Sequence, residues 1–184
     1  MQATGSELMR IAASGTGEVA LVEPVDRRAA IVDSIVELGP TLLATARFLV
    51  RGDAEARDLA QATMEIGLRK IDDLRDPTRL RGWLLAIEAR EAGRIRRRLR
   101  RLVSLDAQVG QIGITSPPDD RAIALRHGLE RLPPRIRTAV VLHHLSGLTV
   151  AETADAMDVS VNTVKSELQV GLSRLREGLD ESLD

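Results

Sequence analysis

The sequence contains no cysteine and no tyrosine, and only one tryptophan (Trp83) and one phenylalanine (Phe48). Without cysteine there is no disulfide, no thiolate-held zinc and no cysteine nucleophile, which fits a reducing compartment. With so few aromatics, a core has to be built from Leu, Ile, Val and Ala, and these favour packed helices over a strand-rich fold. No stretch approaches the roughly 18 apolar residues of a membrane span, and the leading segment (MQATGSELMRIAASGTGEVALVEP) lacks a basic region followed by an apolar run. These absences predict an all-α, cytoplasmic protein without membrane insertion. Histidine is scarce too. Of His127, His143 and His144, the adjacent pair lies about 100° apart on a helix, whereas a shared metal favours i, i+4 spacing. No Ser/His/Asp grouping or phosphate-binding glycine loop is visible. No catalytic residue, metal or cofactor is expected.

The chain has 184 residues with 43% hydrophobic content, room for one domain or two small ones. Its net charge of −1 conceals an asymmetry. Residues 31–102 hold 15 Arg/Lys against 11 Asp/Glu, and residues 103–184 hold 8 against 12. Residues 1–27 lack sustained periodicity and are expected to be a mobile tail. Residues 28–102 form a first helical domain. In it Leu42, Ala46, Leu49 and Val50 share a helix face that stops at Gly52. Asp53 is expected to cap a helix over about 54–74 that places Leu59, Thr63, Ile66 and Leu74 at helical steps. Pro77 ends that helix, and Thr78 is expected to cap a third, through Trp83. Residues 103–120 (VSLDAQVGQIGITSPPDD) read as a linker. Residues 121–184 form a second helical domain.

Within "LTVAETADAMDVSVNTVKSEL", Thr149 can cap one helix, Ala154 permits close helix packing, Val159 fills a turn and Ser160 can cap the next helix. An ordinary αα corner would share some of this, but the offsets fit a helix-turn-helix. At 100° per residue, Val161, Val164, Leu168 and Leu175 define the buried side of the second helix. Asn162, Ser166, Val170 and Ser173 then point outward, with Thr163 and Gln169 beside them and Lys165 and Glu167 on opposite flanks. Asn and Gln can pair with adenine, Ser and Thr with several base edges, and Glu with cytosine N4. Such a face selects bases but grips phosphate poorly. Grip is available elsewhere. "RIRRRLRR", residues 94–101, carries six arginines in eight positions, and such a cluster repels itself unless an anion is near. A solvated helix end is the plainer alternative.

Two small helical domains, an arginine-rich helix in the first and a helix-turn-helix in the second, resemble an extracytoplasmic-function (group 4) sigma factor of bacterial RNA polymerase, of the sigma-70 family. The resemblance covers about residues 30–180. It is strongest in "LERLPPRIRTAVVLHHLSGLTVAETADAMDVSVNTVKSELQVGLSRLRE", similar to sigma domain 4, and fair in "GDAEARDLAQATMEIGLRKIDDLRDPTRLRGWLLAIEAREAGRIRRR", similar to domain 2. It implies that Asp58 and Gln61 bind the clamp helices of the largest subunit of core RNA polymerase. It implies that Arg75, Arg79, Arg81, Arg90, Arg94 and Arg97 recognise and open the −10 element of promoter DNA. Domain 4 would read the −35 element through Asn162, Thr163, Lys165, Ser166, Glu167 and Gln169. The linker, with Asp106, Asp119 and Asp120, would pass through polymerase channels, and an anti-sigma factor is a further partner. Departures from the family pattern fall at Ala62, Met64, Leu68, Ala86, Glu88, Arg90, Glu167, Val170 and Leu172.

The expected function is therefore promoter selection and transcription initiation on core polymerase, with the two domains adding modest DNA affinities through their tether. Two alternatives stay open: a free helix-turn-helix regulator, and a sigma-like interaction protein that binds polymerase or an anti-sigma factor without reading a promoter. On charge alone, Glu167→Arg is expected to strengthen DNA binding.

Overall fold

A computed structural model describes residues 24–103 and 120–180, with side chains placed for residues 27–98 and 125–178. The described residues form helices joined by short turns, with no strand among them, as the composition predicts. Helix α1 (Pro24–Glu37) begins within the segment expected to be a tail, and α2 (Gly39–Leu49) follows after a break at Leu38, with Pro40 in its first turn. Proline suits that position because the missing N–H has no helical partner there. Val50 leaves the helix in extended conformation, and Gly52, also extended, precedes α3 (Asp53–Arg69).

Three local expectations need correction. Asp53 does not cap α3. It is the first helical residue, its carboxylate bonded to Arg47 at 2.9 Å and to Arg57 one turn on. These bonds, Arg47's first, hold its carboxyl below the ordinary value. Second, α3 stops at Arg69 and the chain tightens into 3₁₀ turns at Ile71–Asp73 and Pro77–Arg79. Side chains three apart eclipse in a 3₁₀ turn, and Ile71 and Leu74 both reach the core. Third, the capping side chain before Trp83 is Asp76. Its Oδ1 accepts from the Thr78 N–H (3.0 Å) and hydroxyl (2.7 Å).

Helix α4 (Leu80–Val103) runs 24 residues and carries the arginines on one end. The second half comprises α5 (Asp120–Arg131), α6 (Pro134–Val140) continuing into a π-helical turn at Val141–Leu145, α7 (Val150–Met157) and α8 (Val161–Asp180). Helices α6 and α8 cross at Gly171, where an added Cβ would lie 2.6 Å from Val140 Cγ2. Only glycine allows that approach. The linker Asp106 and Asp119, and the segment before Pro24, lie outside the described residues. Asp120 opens α5.

The two halves do not keep separate cores. Leu142, Leu148 and Ala156 of the second half bury against Ile35, Leu42, Leu84 and Leu85 of the first. Ala46, Leu49, Leu59 and Ala92 of the first half share a second cluster with Leu129, Val140, Val141, Val164 and Leu168. Helix α7 lies along α4. Burial on this scale, at about 25 cal/mol per Å² of apolar surface, holds the halves together without a covalent clamp.

Candidate nucleic-acid interface

The helix-turn-helix forms as the spacing requires. Thr149 and Glu152 make a reciprocal capping box: the Glu152 N–H donates to Thr149 Oγ1 (3.2 Å), and the Thr149 N–H donates to Glu152 Oε2 (2.8 Å). The Thr149 N–H, with the Thr149 hydroxyl and then Arg79 and Arg81, holds the Glu152 carboxyl below its ordinary value. Ala154 is buried and Val159 packs into the turn. Ser160 Oγ accepts from the Thr163 N–H at 3.1 Å, capping α8 as expected.

The turn itself rests on Asp158, the only described non-glycine residue with positive φ (56°, ψ 53°). A short polar side chain tolerates this left-handed conformation better than alanine, and glycine better still. Asp158→Ala is expected to cost about 1 kcal/mol and Asp158→Gly to cost nothing, measured by urea unfolding. Equal stability of all three would mean the turn is unstrained.

On α8, Val164, Leu168 and Leu175 are buried, matching the expected inner face. Val161 does not join them. It is 40% exposed, because the first helical residue after the Ser160 cap projects past the end of the core. Asn162, Lys165, Ser166 and Gln169 are exposed, and Thr163 is half-buried. Two hydroxyls have local partners: Thr163 Oγ1 with Ser160 Oγ (2.8 Å) and Ser166 Oγ with the Asn162 carbonyl (3.1 Å). Asn162, Lys165 and Gln169 are left to reach outward. Glu167 is not on this open face. Its side chain is 13% exposed, Oε1 lies 2.5 Å from Arg135 Nε of α6, and Oε2 is buried without a hydrogen bond. Arg135, which the sequence did not single out, thereby becomes a fixed guanidinium, 58% exposed, at the edge of the helix-turn-helix.

In the first half, Arg75, Arg79, Arg94 and Arg97 are exposed, and Arg94 pairs with Glu91 at 2.7 Å. Arg81 and Arg90 are exposed as well, and each also contacts the second half. Arg81 donates to the Ser146 carbonyl (2.5 Å) and Arg90 to the Asp155 carbonyl (3.1 Å). Trp83 is half-buried, 3.7 Å from where a Gly67 Cβ would sit, so it serves the core on one edge and faces a cleft on the other. A larger groove of about 650 Å³ gathers Arg90, Arg94, Arg96, Arg97 and Arg135. Convergence of five guanidiniums on one groove suits polyanions. Asp58 and Gln61 are exposed together on α3, with Gln61 donating to Glu65 at 2.9 Å. His143 Nδ1 lies 2.7 Å from the Leu148 carbonyl, which makes it a loop tie. Burial, with His143 beside it, lowers the His144 pKa. No group of acidic or histidine side chains able to hold a metal occurs among the described residues.

A helix-turn-helix with an exposed hydrogen-bonding face, joined to an arginine-rich helical domain, defines a DNA-binding protein. Comparison with known proteins resolves the class further. Residues 35–102 match the sigma-70 region 2 family and residues 122–175 match sigma-70 region 4. The chain is 34% identical over 144 residues to the RNA polymerase sigma-E factor of Streptomyces avermitilis, covering 76% of this chain and 79% of the relative. It is 32% identical over 141 residues to the RNA polymerase sigma factor CarQ of Myxococcus xanthus, covering 72% and 79%. The fold is similar to that of the sigma factor RpoE of Bartonella quintana, solved with the anti-sigma factor NepR. That match has a TM-score of 0.71 and 24% identity, and covers 80% of this chain and 95% of the other. The chain belongs to the extracytoplasmic-function sigma factors of the sigma-70 family. It is a promoter-specificity subunit of RNA polymerase that acts in transcription initiation.

Proposed function

We propose a division of labour by residue within this sigma factor. Asp58 and Gln61 dock α3 on the clamp helices of core polymerase. Arg75, Arg79, Arg81, Arg90, Arg94 and Arg97 hold the opened −10 element. Asn162, Lys165 and Gln169 read the −35 element, with Thr163 and Ser166 lending lone pairs. Exposed Val161 and Val170 flank this face and can meet thymine methyl groups. Glu167 acts on DNA indirectly, by fixing Arg135 for a phosphate contact. The observation that carries the assignment is the separation of chemistries: mainly neutral hydrogen-bonding side chains, with Lys165, on the outer face of the first turns of α8, and guanidiniums along the loop and α4. The boundaries proposed are 28–102 for domain 2, 103–120 for the linker and 121–184 for domain 4.

We also propose a non-catalytic, cytoplasmic protein. No single helix among the described residues is long and apolar enough to cross a membrane. An anti-sigma factor is a further proposed partner, since RpoE was solved with one.

Run-off transcription with core polymerase and a promoter library tests the residue roles. Asn162→Ala is expected to cost about 1–3 kcal/mol of discrimination at one −35 position. Arg94→Ala with Arg97→Ala is expected to weaken all promoters alike and lower the salt slope by about 2. A uniform loss from Asn162→Ala, or altered base preference from the arginine pair, would reverse the assignment.

A further inference from the structure

We infer that the first turn of α1 belongs to the −10 apparatus: Arg27 and Arg28 fix and neutralise the loop that presents Arg75 and Arg79, and act as positioning residues. The inference rests on the −10 roles proposed above for Arg75 and Arg79.

The loop lacks cations for its task. Residues 71–79 (IDDLRDPTR) carry Asp72, Asp73 and Asp76 against Arg75 and Arg79, so a segment that holds phosphates is by itself net negative. Phosphate binding follows the cations a surface presents, and an uncompensated carboxylate beside them opposes it. Asp76 is occupied within the loop. Its Oδ1 accepts from the Thr78 hydroxyl and N–H at 2.7 and 3.0 Å. These Thr78 bonds, then Arg79 and Arg27 more weakly, hold its carboxyl below the ordinary value. The partner of Asp72 comes from outside the loop: Arg28 Nη1 of α1, at 2.6 Å. Arg27 and Arg28 together turn the balance of this surface positive.

The same two residues set where the loop lies. Arg27 Nη2 donates to the Arg75 carbonyl at 3.2 Å, so the backbone that carries the Arg75 guanidinium is tied to α1. Ile31, one turn along α1, is buried in a cluster with Ile71 and Leu74. Arg27, Arg28 and Arg75 line one hollow of about 410 Å³, while Arg75 and Arg79 also line the cleft that holds Trp83. The loop is therefore held from α1 on one side and offers its guanidiniums on the other. Its own bonds are few: Asp73 N–H to the Lys70 carbonyl (2.9 Å), Leu74 to Ile71 (3.1 Å) and Arg79 to Asp76 (3.1 Å). Single 3₁₀ turns have poor hydrogen-bond geometry and hold little shape alone. The ties from α1 thus decide the position of Arg75. The Arg28 and Asp72 side chains are 55% and 84% exposed. Such a pair adds little global stability, so replacing it frees the loop without unfolding the chain.

Full-length variants joined to core polymerase and given a promoter library test the inference. Arg28→Glu is expected to weaken promoter binding about tenfold and to flatten base preference at −10. Preference at −35 and capture by core polymerase should not change. Arg28→Glu with Asp72→Lys restores the ion pair in reverse and is expected to recover most of the loss. Trp83 is the only tryptophan in the chain and lines the cleft with Arg75, so acrylamide quenching of its fluorescence reports the loop in the free protein. Arg27→Ala and Arg28→Glu are each expected to raise the quenching constant about twofold, with the swapped pair returning it. Unchanged quenching in both single variants, or a swapped pair no better than Arg28→Glu, would overturn the proposal. So would unchanged −10 preference in Arg28→Glu, provided Arg75→Ala with Arg79→Ala weakens −10 binding. If that arginine pair leaves −10 binding unaltered while quenching responds as expected, the DNA role of the loop fails and the tie from α1 stands.

Discussion

Glu88→Leu is expected to make the protein more stable, and Glu88→Gln is expected to remove most of the pH dependence of its stability between pH 5 and 9. Glu88 sits in mid-α4, fully buried, with both carboxylate oxygens lacking a hydrogen-bond partner. Its neighbours on the same face, Leu84 and Ala92, are completely buried and apolar. Burial pushes its carboxyl from the ordinary 4.5 up to about 9, because the anion has neither water nor a counter-charge. In the unfolded chain the proton leaves near pH 4.5, whereas the folded chain keeps it until about 9. The folded state therefore binds one more proton across that window, and stability falls by about 1.4 kcal/mol per pH unit as pH rises. By pH 8 the loss is of the order of several kcal/mol, a large share of the roughly 5–15 kcal/mol that such a chain has. At the acid end Asp53, Asp76 and Glu152 act in the opposite sense. Their lowered values supply stability that is lost as pH falls through them. Together these groups place the optimum near the ordinary carboxylate range. Urea midpoints from pH 5 to 9 are the measurement. Parallel profiles for wild type and Glu88→Gln would show that Glu88 finds a partner in solution.

Much of the second half was legible because its signals are local. A Thr149 cap with Glu152 three residues on, a small Ala154 and a Ser160 cap are each readable within one turn of chain, and all three form. The first half was less legible where local rules compete. Asp53 and Thr78 both looked like caps, yet Gly52 and Asp76 hold those positions. In the first case Asp53 is already helical and its carboxylate goes to the nearby Arg47 and Arg57; in the second, two neighbouring polar residues could serve the same orphan N–H groups. The outward positions of Asn162, Ser166, Val170 and Ser173 followed from period alone, whereas Val161 failed because a helix end has no neighbour to bury it. Contacts between the halves left no local trace. Arg81 and Arg90 looked like any exposed arginines. Their partners are carbonyl oxygens 65 residues away, and a carbonyl is invisible in a sequence.

Glu167 is the residue for which charge counting and structure expect opposite results. Counting charges, Glu167→Arg adds a cation to a reading helix and should tighten DNA binding. The structure instead predicts damage. Glu167 reaches inward to Arg135, with Oε1 bonded to its guanidinium and Oε2 enclosed. An arginine there would put two guanidiniums together, with the new one deprived of water. Truncating an exposed pair costs little, at most about 1 kcal/mol, and Arg135 is more than half exposed. Burying an unpaired charge is the larger cost, and roughly 2–4 kcal/mol is expected for Glu167→Arg. Glu167→Gln keeps the hydrogen-bond acceptor and is expected to lie within about 1 kcal/mol of wild type. The reciprocal change Arg135→Glu, added to Glu167→Arg, should recover about 1 kcal/mol or more, since the two side chains touch and their effects do not add. Urea unfolding of wild type, Glu167→Arg, Arg135→Glu and the double variant measures the cycle, and titration with −35 duplex DNA measures the consequence. A Glu167→Arg chain of undiminished stability that binds duplex more tightly would put Glu167 back on the groove face. Lost stability, with recovery only in the swapped pair, would make it the brace that aims Arg135.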